Sequence, residues 1–228
     1  MLGEFAGQDD NTLIAAYLVD HAMKDSKVEF DPKADLVIGV DVARFGSDRT
    51  VLCYRRANYV EDFKIYRQKD TQEVAGIVRN EARLHGAKEV CIDGNGLGAG
   101  VVDALRHMDD MPCPVRDVNV AESSSMNPKA NRLRDDLWLQ VRDWLATKLV
   151  KLPDLDGLRE ELVTPTYSYN QADRIVVESK DSMRKRMSRS PDLADALCLT
   201  MAGQAARAMG RGGNKYWGKP LKRNIKGI

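Results

Sequence analysis

Three aspartates carry the strongest chemical signal in this chain. Asp41 ends the apolar run DLVIGVD, Asp93 ends KEVCID, and Asp195 lies in SPDLADALCL, at the start of the last predicted helix. Two strand ends and one helix can bring three side chains to one point. Carboxylates gathered there repel one another and resist full ionisation. Divalent cations remove that repulsion, and hard cations such as Mg²⁺ take oxygen ligands. The three residues are therefore a candidate two-metal phosphoryl-transfer site.

Each acid also has a plainer reading. Asp41 in GVDVARFG and Asp93 in CIDGNGLGAG are both placed to serve turns. Gly94, Gly96, Gly98 and Gly100 allow a close backbone approach, but the phosphate-binding form GxxxxGK[ST] occurs nowhere in the chain. Asp192 and Asp195 share a helical face, and a first-turn acid often only complements the helix dipole. Asp195 stands among Leu193, Ala196, Leu197 and Leu199. An ionised group on such an apolar stripe needs a partner. The conjunction of three acids is more specific than any one of them.

The elements that must position these residues follow from patterning. Residues 1–34 are polar and mixed, with a short helix over 13–23, and read as a lead-in rather than core. DLVIGVDV (35–42) reads as a central strand buried on both faces. TVLCYRRA (50–57) and YVEDFKIYR (59–67) are the next two strands, joined by a tight turn at Ala57-Asn58. Residues 71–86 form an amphipathic helix, with Thr71 as its cap and Gly86 at its end. Strand 88–93, a glycine-rich turn, helix 101–108 and strand 114–120 follow. A long helix covers 129–149 and a short one 156–165, and TYSYN and RIVVES make a second hairpin. A basic loop, 179–190, precedes a helix over 191–209, with Ser190 as N-cap and Pro191 in the first helical position. This order predicts an α/β fold: a ribonuclease H-like mixed sheet flanked by helices, with the first strand beside the fourth. Adjacent strands lie about 4.8 Å apart, so Asp41 and Asp93 would face each other across that gap.

Composition narrows the class without choosing a substrate. The 228 residues are 43% hydrophobic and 30% charged, with a net charge of +1, as in ordinary globular domains. Positive charge is concentrated in the basic loop, which holds Lys180, Arg184, Lys185, Arg186 and Arg189, and in the acid-free tail 211–228. Cys53, Cys91, Cys113 and Cys198 lack CxxC spacing and read as free thiols in a reducing compartment. The three histidines have no ligand spacing, which argues against zinc. Trp138 and Trp144 read as core, while Trp217 falls in the tail. No apolar run reaches the roughly 18 residues of a membrane span, so a soluble, intracellular protein without a membrane partner is expected.

LVIGVDVARFGSDRT, VCIDGNGLGAGVVDAL and ESKDSMRKRMSRSPDLADAL, in this order, resemble the nuclease domain of the large terminase subunits of tailed phages. The resemblance covers roughly residues 35–209, and LGEFAGQDDN is similar to the stretch by which such proteins leave their ATPase domain. It implies that residues 1–34 link to an ATPase domain that this chain lacks, and that 210–228 form a basic, flexible tail. It also implies Asp41, Asp93 and Asp195 as catalytic metal ligands, with Asp192 as a further ligand or orienting group. Two Mg²⁺ or Mn²⁺ ions would activate water and stabilise the leaving 3′ oxygen of a DNA phosphodiester. The substrate would be double-stranded concatemeric viral DNA, cut with little sequence preference in the cytoplasm of the infected bacterial host. Lys180, Arg184, Lys185, Arg186 and Arg189 would contact its phosphates. The portal and small terminase subunit are implied partners.

Other classes share much of this evidence. A resolvase or transposase would place its acids similarly. An actin-like ATPase would need a second nucleotide-binding half. A non-catalytic DNA-binding module would bind DNA without Asp195.

Overall fold

The computed structural model describes residues 11–43, 49–124 and 127–203. Its centre is a five-stranded sheet in the order β3-β2-β1-β4-β5, formed by β1 (Leu36–Asp41), β2 (Thr50–Arg56), β3 (Tyr59–Tyr66), β4 (Glu89–Asp93) and β5 (Val115–Val118). The β1–β2 and β2–β3 pairs are antiparallel, while β1–β4 and β4–β5 are parallel. The first strand thus lies beside the fourth, as the element order predicts.

Alternation along the strands decides which residues meet which layer. Leu36, Ile38 and Val40 pack with α2 (Thr71–His85) and α3 (Leu97–Arg106) on one face. Val37 on β1, Val51 and Cys53 on β2, and Cys91 on β4 belong to the core on the other face. That side carries α1 (Ala16–Asp20), α4 (Leu133–Ala146), α5 (Leu158–Val163) and α7 (Asp192–Thr200). By the same alternation Gly39, Asp41 and Asp93 point toward α7. A side hairpin, β6 (Tyr167–Tyr169) with β7 (Ile175–Val177), leads into α6 (Lys180–Met187).

Several expectations need correction. The segment 13–23 is core rather than lead-in: Leu13, Ile14, Leu18, Val19, Ala22 and Met23 are buried, and the Leu13 amide donates to the Pro165 carbonyl at 2.9 Å. Its apolar side chains had to be covered, and α4 and α5 cover them. The basic stretch 179–190 is largely helical. Ser179 caps α6 by accepting from the Ser182 amide, and Met183 is buried beneath it. Lysine, arginine and methionine are good helix formers, so nothing in that run opposes the turn. The cap of α2 is Asp70, whose side chain shares reciprocal bonds with Glu73. At α7, Pro191 is the capping position and Asp192 the first helical residue, and the helix ends at Thr200. The tail 210–228, with Trp217, lies outside the described residues.

Other readings hold. Trp138 and Trp144 are buried, all four cysteines are free, and Gly86 ends α2. Among the described residues no helix is long and apolar enough to cross a membrane.

Candidate metal centre

Parallel register sets the first pair of acids. Val40 on β1 aligns with Ile92 on β4. The next residues, Asp41 and Asp93, therefore emerge side by side at the carboxyl edge of the sheet. The third acid comes from α7, which lies directly on β1. A side chain at position 39 would place its Cβ 2.1 Å from the Ala196 carbonyl oxygen, so only glycine permits this approach. Position 98 works similarly, since a Cβ there would lie 1.7 Å from the Asp93 carbonyl oxygen. Gly98 thus lets α3 start close against the end of β4.

Asp41, Asp93 and Asp195 line one cleft of about 760 Å³, together with Lys180, Arg134 and Tyr167. Asp41 and Asp195 are buried, and Asp93 lies at intermediate depth. The Lys180 ammonium stands between the two buried acids. Nζ donates to Asp41 Oδ1 and Oδ2 at 3.1 and 3.0 Å and lies 3.0 Å from Asp195 Oδ2. Trp138 Nε1 donates to Asp195 Oδ1 at 3.1 Å, and Arg134 Nη2 lies 3.7 Å from the same oxygen. Asp93 Oδ1 accepts from the amide and the side chain of Asn95 at 3.1 and 2.8 Å.

These surroundings separate the charges. Burial pushes Asp41 up to about 7 against the pull of Lys180, with Asp195 and Asp192 adding repulsion. Burial also opposes ionisation of Asp195, but Lys180, Arg134 and Trp138 outweigh it and hold this carboxyl below its ordinary range. Asp93 is raised by burial, partly offset by Asn95. Burial disfavours the charge on Lys180, yet Asp195 and Asp41 more than compensate and hold it protonated.

Among the described residues no three ligand-type side chains converge closely enough to share one ion in this arrangement. The reason is visible: Lys180 separates Asp41 from Asp195, and Asn95 engages Asp93. The donor set nevertheless fits a hard cation. It is all carboxylate oxygen, supplied by three elements, and already organised around one positive charge.

Asp192 lies near enough to Asp41 to add repulsion, and it is also engaged by Arg49. Its Oδ2 accepts from Arg49 Nε at 3.3 Å, and it is not among the residues lining the cleft. The five basic residues also divide. Lys180 belongs to the acid cluster. Arg186 pairs with Glu178 and donates to the Thr164 carbonyl, and Arg189 pairs with Glu160. Lys185 and Arg184 are exposed on α6. Arg134, Trp138, Arg49 and Glu161 were not legible as site residues. The first two sit on a helix whose periodicity signals only core, and nothing local marks the others.

No sequence-family model and no curated protein sequence matches the chain. Solved structures do. The nuclease domain of the large terminase subunit of bacterial virus Sf6 superposes with a TM-score of 0.72 at 19% identity, covering 83% of this chain and 97% of that one. A mutant of that domain with manganese gives 0.70 at 18% identity, over 83% and 98%. The large terminase nuclease of thermophilic phage G20c with bound magnesium gives 0.63 at 14% identity, over 85% and 97%. The chain thus has the ribonuclease H-like α/β fold of phage large terminase nuclease domains.

Proposed function

We propose that this chain is a metal-dependent endonuclease domain that hydrolyses phosphodiesters of double-stranded viral DNA during genome packaging. One observation carries the reading. Asp41 and Asp195, buried and drawn from a strand and a helix, hold a single positive charge between them, with Asp93 in the same cleft. Oxygen donors are brought together this way where a cation is to be bound, because unpaired buried carboxylates are strongly unfavourable. The shared fold, and the manganese and magnesium in similar structures, point in the same direction. Fold alone would not suffice, since one fold hosts many functions.

Asp41, Asp93 and Asp195 would hold Mg²⁺ or Mn²⁺. When bound, a pair of such ions supplies an activated water and neutralises charge on the leaving oxygen. The chain's own residues set the stage. Trp138 fixes one oxygen of Asp195, leaving the other beside Lys180. Lys180 keeps the acids from repelling one another before loading. Arg134 adds a second positive charge beside Asp195. Lys185 and Arg184 on α6, beside the cleft, would contact phosphates without reading sequence. In this reading the nuclease unit includes the buried segment 13–23 as well as the strands and helices that follow it, and an ATPase domain of the same motor would be joined to it. A portal, a small terminase subunit and the host cytoplasm complete the setting.

The test is cleavage of supercoiled plasmid with Mg²⁺, Mn²⁺ or EDTA, beside Asp195→Ala and Asp93→Ala. Metal-dependent nicking and linearisation, lost in both variants, is the expected result. A folded wild-type chain that binds DNA but never cuts it would instead make this a non-catalytic module.

A further inference from the structure

Asp195 is carried by α7, and both ends of that nine-residue helix are bonded by buried charged side chains. At the amino end, Glu161 is fully buried. Its Oε2 accepts from the amides of Leu193 and Ala194 at 2.7 and 3.1 Å. Its Oε1 accepts from Arg49 Nη2 at 2.9 Å, and Arg49 Nε reaches Asp192. Pro191, at the capping position, makes no side-chain cap bond. Glu161, from α5, satisfies amide donors that the local sequence leaves open.

At the carboxyl end, Arg55 of β2 is buried at 3% exposure. Its Nε donates to Thr200 Oγ1 and its Nη2 to the Thr200 carbonyl, both at 2.8 Å. The signs are complementary: an anion at the positive end of the helix dipole and a cation at the negative end. Between them, α7 rests on Gly39, where any side chain would collide.

We infer that Glu161 and Arg55 are positioning residues: a two-ended clamp that sets α7 along β1 and so places the Asp195 carboxylate opposite Asp41. Asp192, held by Arg49, belongs to this clamp as an orienting group rather than to the ligand set. The inference concerns the same site and rests on the nuclease reading for its catalytic consequence. Its structural half stands without that reading, because Trp138 Nε1 bonds Asp195 Oδ1 and reports where the carboxylate lies.

The experiment uses the full 228-residue chain. The ¹H–¹⁵N indole resonances are recorded in metal-free buffer, with Trp138 assigned by its loss in Trp138→Phe. Glu161→Gln and Glu161→Ala are compared with wild type, with Arg55→Lys and Arg55→Met testing the other end. Circular dichroism checks the fold, and plasmid cleavage gives kcat and KM. Misplacing a catalytic group by about 1 Å can lower turnover by 10²-fold. We therefore expect Glu161→Ala to shift the Trp138 resonance and lower kcat by about 10–100-fold, with KM changed less than about twofold. The Trp144 resonance, whose indole bonds Asn58, should stay in place. Glu161→Gln keeps an acceptor for the amides and should recover part of both effects, as should Arg55→Lys relative to Arg55→Met.

Folded Glu161→Ala and Arg55→Met chains with an unmoved Trp138 resonance and wild-type kcat would overturn the clamp. Loss of fold in both glutamate variants would overturn it too, by making Glu161 a requirement of the fold alone. A wild-type chain that never cuts would defeat the nuclease reading and leave the indole comparison to decide the clamp.

Discussion

The ammonium of Lys180 donates to both carboxylate oxygens of Asp41, at 3.1 and 3.0 Å. The same nitrogen lies 3.0 Å from Asp195. The lysine therefore acts as the internal counter-ion of the acid cluster. Lys180→Met should leave two buried carboxylates without it. Tm should fall by about 2–10 °C in EDTA, for a loss of about 1–3 kcal/mol. Added Mn²⁺ should stabilise the variant more than the wild type, because ligand binding raises apparent stability with affinity. Thermal melts with EDTA and with Mn²⁺ check this; equal metal-induced shifts in the two proteins would count against a shared cation position.

Gly39 is where α7 touches the sheet. Gly39→Ala puts a methyl group 2.1 Å from the Ala196 carbonyl oxygen, so the helix must move outward. Overpacking of this kind costs about 1–3 kcal/mol, and here it also carries Asp195 away from Asp41. Urea denaturation should show the loss, and cleavage should fall further than stability alone explains. Full activity in the folded variant would mean that the spacing of α7 from β1 is not critical.

The basic residues of 179–190 other than Lys180 should separate into two groups. Replacing Arg184 and Lys185 with glutamine should reduce the slope of log binding constant against log salt by about 0.9 for each phosphate that is no longer neutralised. Arg186→Gln and Arg189→Gln should act on stability instead, since those side chains hold Glu178 and Glu160. DNA binding titrated at several salt concentrations, beside melting curves, distinguishes the two. An unchanged salt slope in the double variant would return that surface to solvent.

A pH test is available away from the acid cluster. Glu81 accepts from Tyr54 and Tyr66 hydroxyls and from Lys64. Burial alone would raise it, but Lys64 and the two phenols outweigh burial and hold it below its ordinary 4.5. A carboxyl depressed in the fold contributes stability above its unfolded value, and that stability is lost as pH falls through the folded one. Glu81→Gln should therefore destabilise by about 1–3 kcal/mol at pH 7, and the gap from wild type should narrow below about pH 4. A gap independent of pH would assign the effect to packing.

The strands themselves and the meeting of Asp41, Asp93 and Asp195 in one cleft were legible from local signals, and the parallel neighbour of β1 from the order of elements. Apolar runs ending in aspartate mark strand ends, and a 3.6-residue period marks the helices. The register that sets Asp41 beside Asp93 follows once those strands pair. What lay beyond the sequence were partners distant along the chain. Lys180 reads locally as one more cation of a basic run, and only the fold turns it inward between Asp41 and Asp195. Glu161 and Arg55 read as an ordinary helix acid and a strand cation, yet they hold opposite ends of α7. The segment 13–23 reads as a lead-in until α4 and α5 bury it. Periodicity states which face of an element is apolar; it does not state what covers that face. Charge in a sequence likewise carries no direction, and tertiary packing alone decided which charges meet.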